Sequence, residues 1–458
     1  MMTFKIIAPE LFLVACSIFI FLSALFVKNR KTFSIFAILG LLVTGVWKYS
    51  LYGSGFGSSF SVDPFDVLGS WIIILIAIYV ILISIDDLVI PDTSYGEYLT
   101  LILTSVVGML FMIGSRDLII LYLGLETLSL SLYILCSFYR RDELSSEAGL
   151  KYYLMGTVAT AILLYGIALI YGATGTTNFY EIAKSLSTAK VVSDPMFIAG
   201  VIAVIVTFSF KSSVIPFHAW TPDTYQGAPT PITAFLATAP KTALLLAFGR
   251  FFVGSLVPIW VEPKTALIVL SILTMVGGNL LALSQKNIKR MLAFSSVSHV
   301  GYMLLGIIVG TQAGLNAILT YLVAYAVMNL GAFGVVFMLK NGDDMNTYNG
   351  LAKRYPYLAG IMMIFMFSLA GIPPTVGFIA KFQLFLAAVN GGLTSLVIVA
   401  VLMTITSAFY YLRVVMNMYM KEPTVETEVV SSDFTKGLVL SLSIIVIVLG
   451  TLPSIFIH

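Results

Sequence analysis

Apolar residues run along this chain in blocks of about twenty, each long enough to cross a hydrocarbon core of about 30 Å as a helix, with short polar clusters between them. The pattern predicts an all-α polytopic membrane protein of about fourteen transmembrane helices. Their approximate limits are 7–27, 32–51, 67–88, 97–114, 118–138, 148–172, 196–218, 228–249, 264–284, 289–309, 313–339, 355–388, 394–419 and 437–457. The seventh and twelfth are broken by proline, at Pro216 and at the pair Pro373 and Pro374. The longest polar connection, roughly 173–195, leaves no room for a soluble domain between spans. The two broken spans lie five apart in order, and each carries a lysine near its break. That is the mark of an internal repeat, and an odd number of spans per unit inverts the second copy. The predicted layout is a three-helix segment (1–94), a first repeat of spans 4–8 (95–250), an inverted repeat of spans 9–13 (251–420), and a final loop and span (421–458).

Composition fits this picture. Of 458 residues, 59% are hydrophobic and 10% charged, more apolar surface than a water-soluble fold can hide, so lipid is the expected solvent. The opening stretch lacks a small-residue cleavage site and is expected to be the first span rather than a cleaved signal. One set of alternate loops holds twice as many lysines and arginines as the other. With an even span count, this places both termini on the side away from the cytoplasm or matrix. Cys16 and Cys136 lie in separate apolar runs, and His218, His299 and His458 do not cluster, so neither a disulfide nor a metal site is expected. There is no dinucleotide fingerprint and no phosphate-binding loop. Any redox cofactor is therefore expected on another chain. The net charge of +3 is small, and nothing points to nucleic acid.

The informative residues are the charges inside the apolar blocks. Lys151, Lys211, Lys241 and Lys381 fall within spans, and Glu126 is the one acid read as clearly deep, near the middle of its span. A charge at the bilayer centre costs roughly 2.5–3.5 kcal/mol. The bland reading is that some of these side chains reach the headgroups, as Lys151 near its span start can, or lock helices together. The sharper one is proton transfer. Burial favours a neutral amine and a nearby carboxylate favours the ammonium, so a Glu–Lys pair can take up or release a proton. A proline break frees backbone carbonyls, which in a membrane must line protein or water. Lys211 sits about one turn before its break, and Lys381 about two turns after the other. His218 directly follows the first break and titrates near neutrality, so it is a candidate relay or a cap on freed carbonyls. His299, with Ser295, Ser296, Ser298 and Tyr302 around it, is a second candidate relay.

The stretches GLETLSL, EAGLKYYL, FKSSVIPFHAWTPDTYQGAPTPITAFLATAPKTA, KNIKRMLAFSSVSHVGY and AGIPPTVGFIAKF carry a resemblance that covers roughly residues 95 to 420. The chain is similar to the antiporter-like membrane subunits of respiratory complex I, the proton-pumping NADH:quinone oxidoreductase. The resemblance implies fourteen helices in two inverted five-helix repeats, with helices 7 and 12 broken. It implies a translocase subunit that does no redox chemistry itself. NADH, FMN, iron–sulfur clusters and quinone would sit on other subunits, and M-type and K-type membrane subunits would be the neighbours. Lys381 stands where the M-type paralogue has a glutamate, and no lateral helix follows span 14. Both points favour the N-type, also called subunit 2. By motif, Glu126 and Lys211 match the family's Glu–Lys pair, Lys241 its central lysine, Lys381 its terminal lysine and Lys151 a further lysine. A second glutamate is missing, which leaves the route out of the second half open. The rivals are an Mrp-type cation/proton antiporter subunit and a membrane scaffold. The membrane itself, bacterial or mitochondrial, is not specified.

Overall fold

The computed structural model describes residues 2–452 apart from 88, 188, 257, 258 and 260. The end of the expected 437–457 span, and His458, lie outside the described residues. Among the described residues, 12 helices are long and apolar enough to cross a membrane, from Arg30–Tyr49 to Asp433–Thr451. Three shorter apolar helices, Ala8–Ser23, Pro356–Ala370 and Val376–Asn390, fall in the remaining apolar blocks. The only strands described are Gly53–Gly55 and Phe60–Val62, paired antiparallel in a small hairpin.

Helix ends follow local chemistry. The side chains of Asp63, Asp117, Asp142 and Asn287 each accept a backbone N–H from the first turn of the helix they precede, which satisfies donors that the helix itself cannot. Gly175, Gly310 and Gly371 close helices in the left-handed conformation. The seventh block is broken, as its proline predicts: the helix Pro195–Ser212 stops and the chain turns through 213–219 before Trp220–Gly227. Ser213 takes a positive φ of 68° there, and Pro216 has no N–H to give. The break thus consumes the end of the block rather than kinking it. The twelfth block breaks between Ala370 and Val376.

The chain forms two compact units. The first runs to Ser212 and adds Gly227–Pro229 and Ala239–Thr265. The second takes Ser213–Gln226, Thr230–Thr238 and the chain from Ala266 on. In the second unit the helices Ile288–Val309 and Gln312–Met338 are largely buried, whereas Thr394–Met420 is largely open to its surroundings. On this outer helix Ile398, Leu402, Ile405 and Phe409 are exposed at helical spacing, an apolar face for lipid or a neighbouring subunit. In the first unit, Gly108 and Gly124 let the helices Tyr95–Gly114 and Leu118–Cys136 touch backbone to backbone. A Cβ on Gly108 would lie 2.6 Å from the Gly124 carbonyl oxygen.

One feature of the first unit corrects the sequence reading. From the sequence, Glu126 is the one acid expected to lie deep. In the structure Glu10, Lys48 and Asp66 are all fully buried. Lys48 Nζ donates to Glu10 Oε1 at 2.8 Å and lies 3.1 Å from Asp66 Oδ2. Each of the first three helices, Ala8–Ser23, Arg30–Tyr49 and Pro64–Ser84, supplies one of these charges. The acids stand in first turns and the lysine in a last turn, the ends where helix dipoles favour them. Beside them, Asp63 pairs with Arg116 at 2.7 Å and Arg250 at 2.5 Å. Burial works to raise the Asp63 carboxyl, but Arg250, the Asp66 N–H and Arg116 together hold it below the usual carboxylate range. Burial and the Arg250 charge bring Arg116 down to about 10.

Removing one partner of a buried ion cluster costs roughly 3–5 kcal/mol because the others stay uncompensated. Lys48→Ala should therefore lower the thermal stability of the detergent-purified protein markedly. The neutral triple variant Glu10→Gln, Lys48→Met, Asp66→Asn should recover much of that loss in the same unfolding measurement.

Candidate functional site

In the first unit the site is built on the helix Leu118–Cys136, whose first turn is capped by Asp117. Glu126 lies in its middle, half-buried, with Oε1 buried and lacking a hydrogen-bond partner. Lys211 is in the last turn of Pro195–Ser212 and is 4% exposed. Its Nζ donates to Ser129 Oγ at 2.8 Å and to Tyr133 OH at 3.0 Å, and lies 5.5 Å from the Tyr133 ring centroid. The structure thus brings Lys211 to the Glu126 helix, but onto its hydroxyls. The Lys211 hydrogen bonds go to Ser129 and Tyr133 rather than to the Glu126 carboxylate.

Lys241 is 1% exposed, in the helix Thr230–Ser255. Pro240 immediately precedes it inside that helix and removes the N–H that would bond one turn back. Lys151 is placed differently. Its side chain is 42% exposed and pairs with Glu147, four residues earlier, at 2.6 Å. It is more exposed than the buried lysines Lys211 and Lys241.

In the second unit, Lys381 is 4% exposed. Its Nζ donates to the carbonyls of Leu369 and Ala370 at 3.1 and 3.0 Å. These are the last carbonyls of the broken helix Pro356–Ala370, so the ammonium satisfies acceptors that the break exposes and meets the negative end of the helix dipole. Gly371, at φ 86°, makes room for it: a Cβ there would lie 3.0 Å from Lys381 Cδ. Pro373 and Pro374 lie just beyond, and both breaks carry a cis bond, at Ile215–Pro216 and Pro373–Pro374. At the first break, the Ile215 N–H donates to Thr274 Oγ1 at 3.1 Å and Thr221 Oγ1 to Ser213 Oγ at 2.8 Å. His218 is half-buried, with its ring 6.1 Å from that of Phe294 and Nδ1 buried without a partner.

His299 is buried on the helix Ile288–Val309 between two tyrosines. Its Nδ1 lies 2.7 Å from Tyr321 OH and its Nε2 3.1 Å from Tyr411 OH. Tyr411 OH continues to Ser295 Oγ at 2.5 Å. A second string joins Tyr410 OH to Asn279 Oδ1 at 3.0 Å and Asn279 Nδ2 to Tyr302 OH at 3.4 Å. Lys381 Nζ lies 5.4 Å from the Tyr302 ring centroid. The two strings meet where the Tyr410 and Tyr411 rings come within 4.4 Å. Sequence reasoning named Ser295, His299 and Tyr302 but missed Asn279, Tyr321, Tyr410 and Tyr411, and in the first unit missed Ser129 and Tyr133. The available signal was polar side chains at helical spacing from a buried charge. Among the described residues no group of three or more His, Cys, Asp or Glu is placed to hold a metal ion. What the arrangement can do is hold amines on hydroxyls and carbonyls, neutral groups that accept their hydrogen bonds.

Comparison with known proteins follows the same lines. The family model described as NADH:quinone oxidoreductase/Mrp antiporter, TM, matches residues 115–407. NADH-quinone oxidoreductase subunit N 1 of Thermodesulfovibrio yellowstonii is 43% identical over 445 residues, covering 97% of this chain and 96% of that protein. A chain of respiratory complex I from Thermus thermophilus superposes with a TM-score of 0.84 at 30% identity, covering 97% of both chains. A chain of the Mrp complex from Dietzia sp. reaches the same TM-score, 0.84, at 21% identity over 99% of this chain and 95% of that one, a likeness of fold.

Gly371→Ala adds a methyl group beside Lys381 and forces a left-handed conformation that costs a side-chain-bearing residue roughly 1–2 kcal/mol. Thermal unfolding should register that loss. A structure of the variant should show Lys381 Nζ withdrawn from the Leu369 and Ala370 carbonyls.

Proposed function

Because the chain belongs to the NADH:quinone oxidoreductase/Mrp antiporter membrane family, among the subunits named N, we propose that it is the proton-translocating, non-redox subunit of an NADH:quinone oxidoreductase. The observation that carries the reading is the burial of Lys211, Lys241 and Lys381 in apolar helices, two of them at helix breaks and each at most 4% exposed. An ammonium in such a place is costly. Its retention is understandable if the group is used. Quinone reduction elsewhere in the complex changes the coupling of Glu126 to Lys211, protons load at Lys211 and Lys241, and release occurs near Lys381. His218 and His299 serve as relays, and Lys151 lies at the edge of this axis. NADH, FMN, iron–sulfur clusters and quinone are held by partner subunits, with M-type and K-type membrane subunits as neighbours. Both termini face away from the cytoplasm or matrix.

The Mrp-type cation/proton antiporter is the second reading, favoured by the family model's shared description and by the likeness of fold. The relatives at 37–43% identity, all named as N subunits of NADH-quinone oxidoreductase, weigh against it.

Extraction from the native membrane in mild detergent separates the two. The chain should comigrate with a large assembly that oxidises NADH and, in vesicles, drives proton uptake without added sodium. Migration with small membrane proteins alone, without NADH oxidation, would transfer the assignment to the antiporter.

A further inference from the structure

Both hydrogen bonds of Lys211 go to hydroxyl groups, and neither goes to a carboxylate. Glu126, Ser129 and Tyr133 follow one another at intervals of three and four residues on the helix Leu118–Cys136. They therefore line one face, one turn apart. The Lys211 amine sits over the second and third of these positions. The first holds a carboxylate with one oxygen buried and unpartnered.

The hydroxyl position is built. Ser129 and Tyr133 are 1% and 5% exposed. The Tyr133 ring is held edge-on by Tyr152 and Tyr153, with centroids at 4.8 and 5.6 Å, both from the helix Glu143–Thr174. On that same helix, a Cβ at Gly156 would lie 2.1 Å from the Tyr133 hydroxyl oxygen. The hydroxyl occupies its place only because residue 156 has no side chain.

We propose that Ser129 and Tyr133 are positioning residues that form a second, carboxylate-free seat for the Lys211 amine, and that Lys211 alternates between this seat and Glu126 during proton transfer. The proposal rests on the proton-transfer reading of the site and adds the resting place that a moving lysine requires. A carboxylate only accepts hydrogen bonds, so its natural partner is the ammonium. A hydroxyl both donates and accepts, so a hydroxyl pair serves either form of the lysine. In the seat the ammonium donates to Ser129 Oγ and Tyr133 OH. It then gives one proton to a water molecule and becomes an amine, and the Tyr133 O–H turns to donate to the nitrogen lone pair. Tyr133 keeps its own proton throughout. Uptake of a proton by the amine restores the ammonium and its attraction to Glu126.

The test uses the assembled complex in sealed vesicles and reads NADH-driven proton uptake per complex across a range of pH. Tyr133→Phe and Ser129→Ala should assemble normally. Uptake should fall roughly five-fold for each hydroxyl removed, the factor that a neutral hydrogen bond of ordinary strength represents, and the pH profile should be displaced. Ser129→Thr, which keeps a hydroxyl, should behave as the native chain. Gly156→Ala leaves both hydroxyls in place chemically but pushes the Tyr133 oxygen aside. It should reproduce Tyr133→Phe, and it decides the matter if that variant fails to assemble. Lys211→Ala and Glu126→Gln are the reference variants. If these abolish uptake while Tyr133→Phe, Ser129→Ala and Gly156→Ala keep the native rate and pH profile, the seat is overturned and the wider reading stands. If the reference variants also transport normally, both are overturned.

Discussion

A protonated amine inside a membrane protein must be given hydrogen-bond acceptors, and much of this structure is arranged around that demand. Lipid supplies none, and an unsatisfied charge there is costly. Each lysine whose partners are described meets the requirement in its own way. Lys48 takes two carboxylates from two other helices. Lys211 takes two hydroxyls from the helix that carries Glu126. Lys381 takes the last two carbonyls of a helix that ends early. The helix breaks belong to the same logic, since a proline and a left-handed residue turn inward-facing backbone into acceptors.

The partners sort these lysines by task. Lys48 is locked between opposite charges at one end of the first three helices, the arrangement of a structural clamp. Lys211 and Lys381 rest on neutral acceptors, which hold an amine without fixing its charge. The units also differ chemically. The first carries Glu126 on the helix whose hydroxyls Lys211 meets, while the second surrounds His299 with tyrosine hydroxyls.

The all-helical membrane architecture and the two breaks were legible because lipid imposes block length and a proline inside a block has few meanings. The burial of Lys211, Lys241 and Lys381 was legible because each lies well inside a block. Lys151 reads differently once Glu147 is noticed four residues before it, the spacing of an exposed helical ion pair. The Glu10, Lys48 and Asp66 cluster escaped because all three stand at helix ends, where a charge usually reaches water. Two first turns and one last turn of consecutive antiparallel helices do, however, share a side. Ser129 and the tyrosines escaped because, within an apolar block, serine and tyrosine read as packing. Only the neighbouring helix decides whether a hydroxyl meets a charge.

The account stands or falls on whether a lysine buried in a helix interior moves protons. Lys241 is the cleanest case, being 1% exposed in a helix interior. The decisive measurement is the number of protons taken up per NADH oxidised by vesicles containing the Lys241→Ala complex. The account predicts normal assembly and a large loss of proton uptake. Native proton uptake, or failure of the complex to assemble at all, would contradict it and return Lys241 to a structural role.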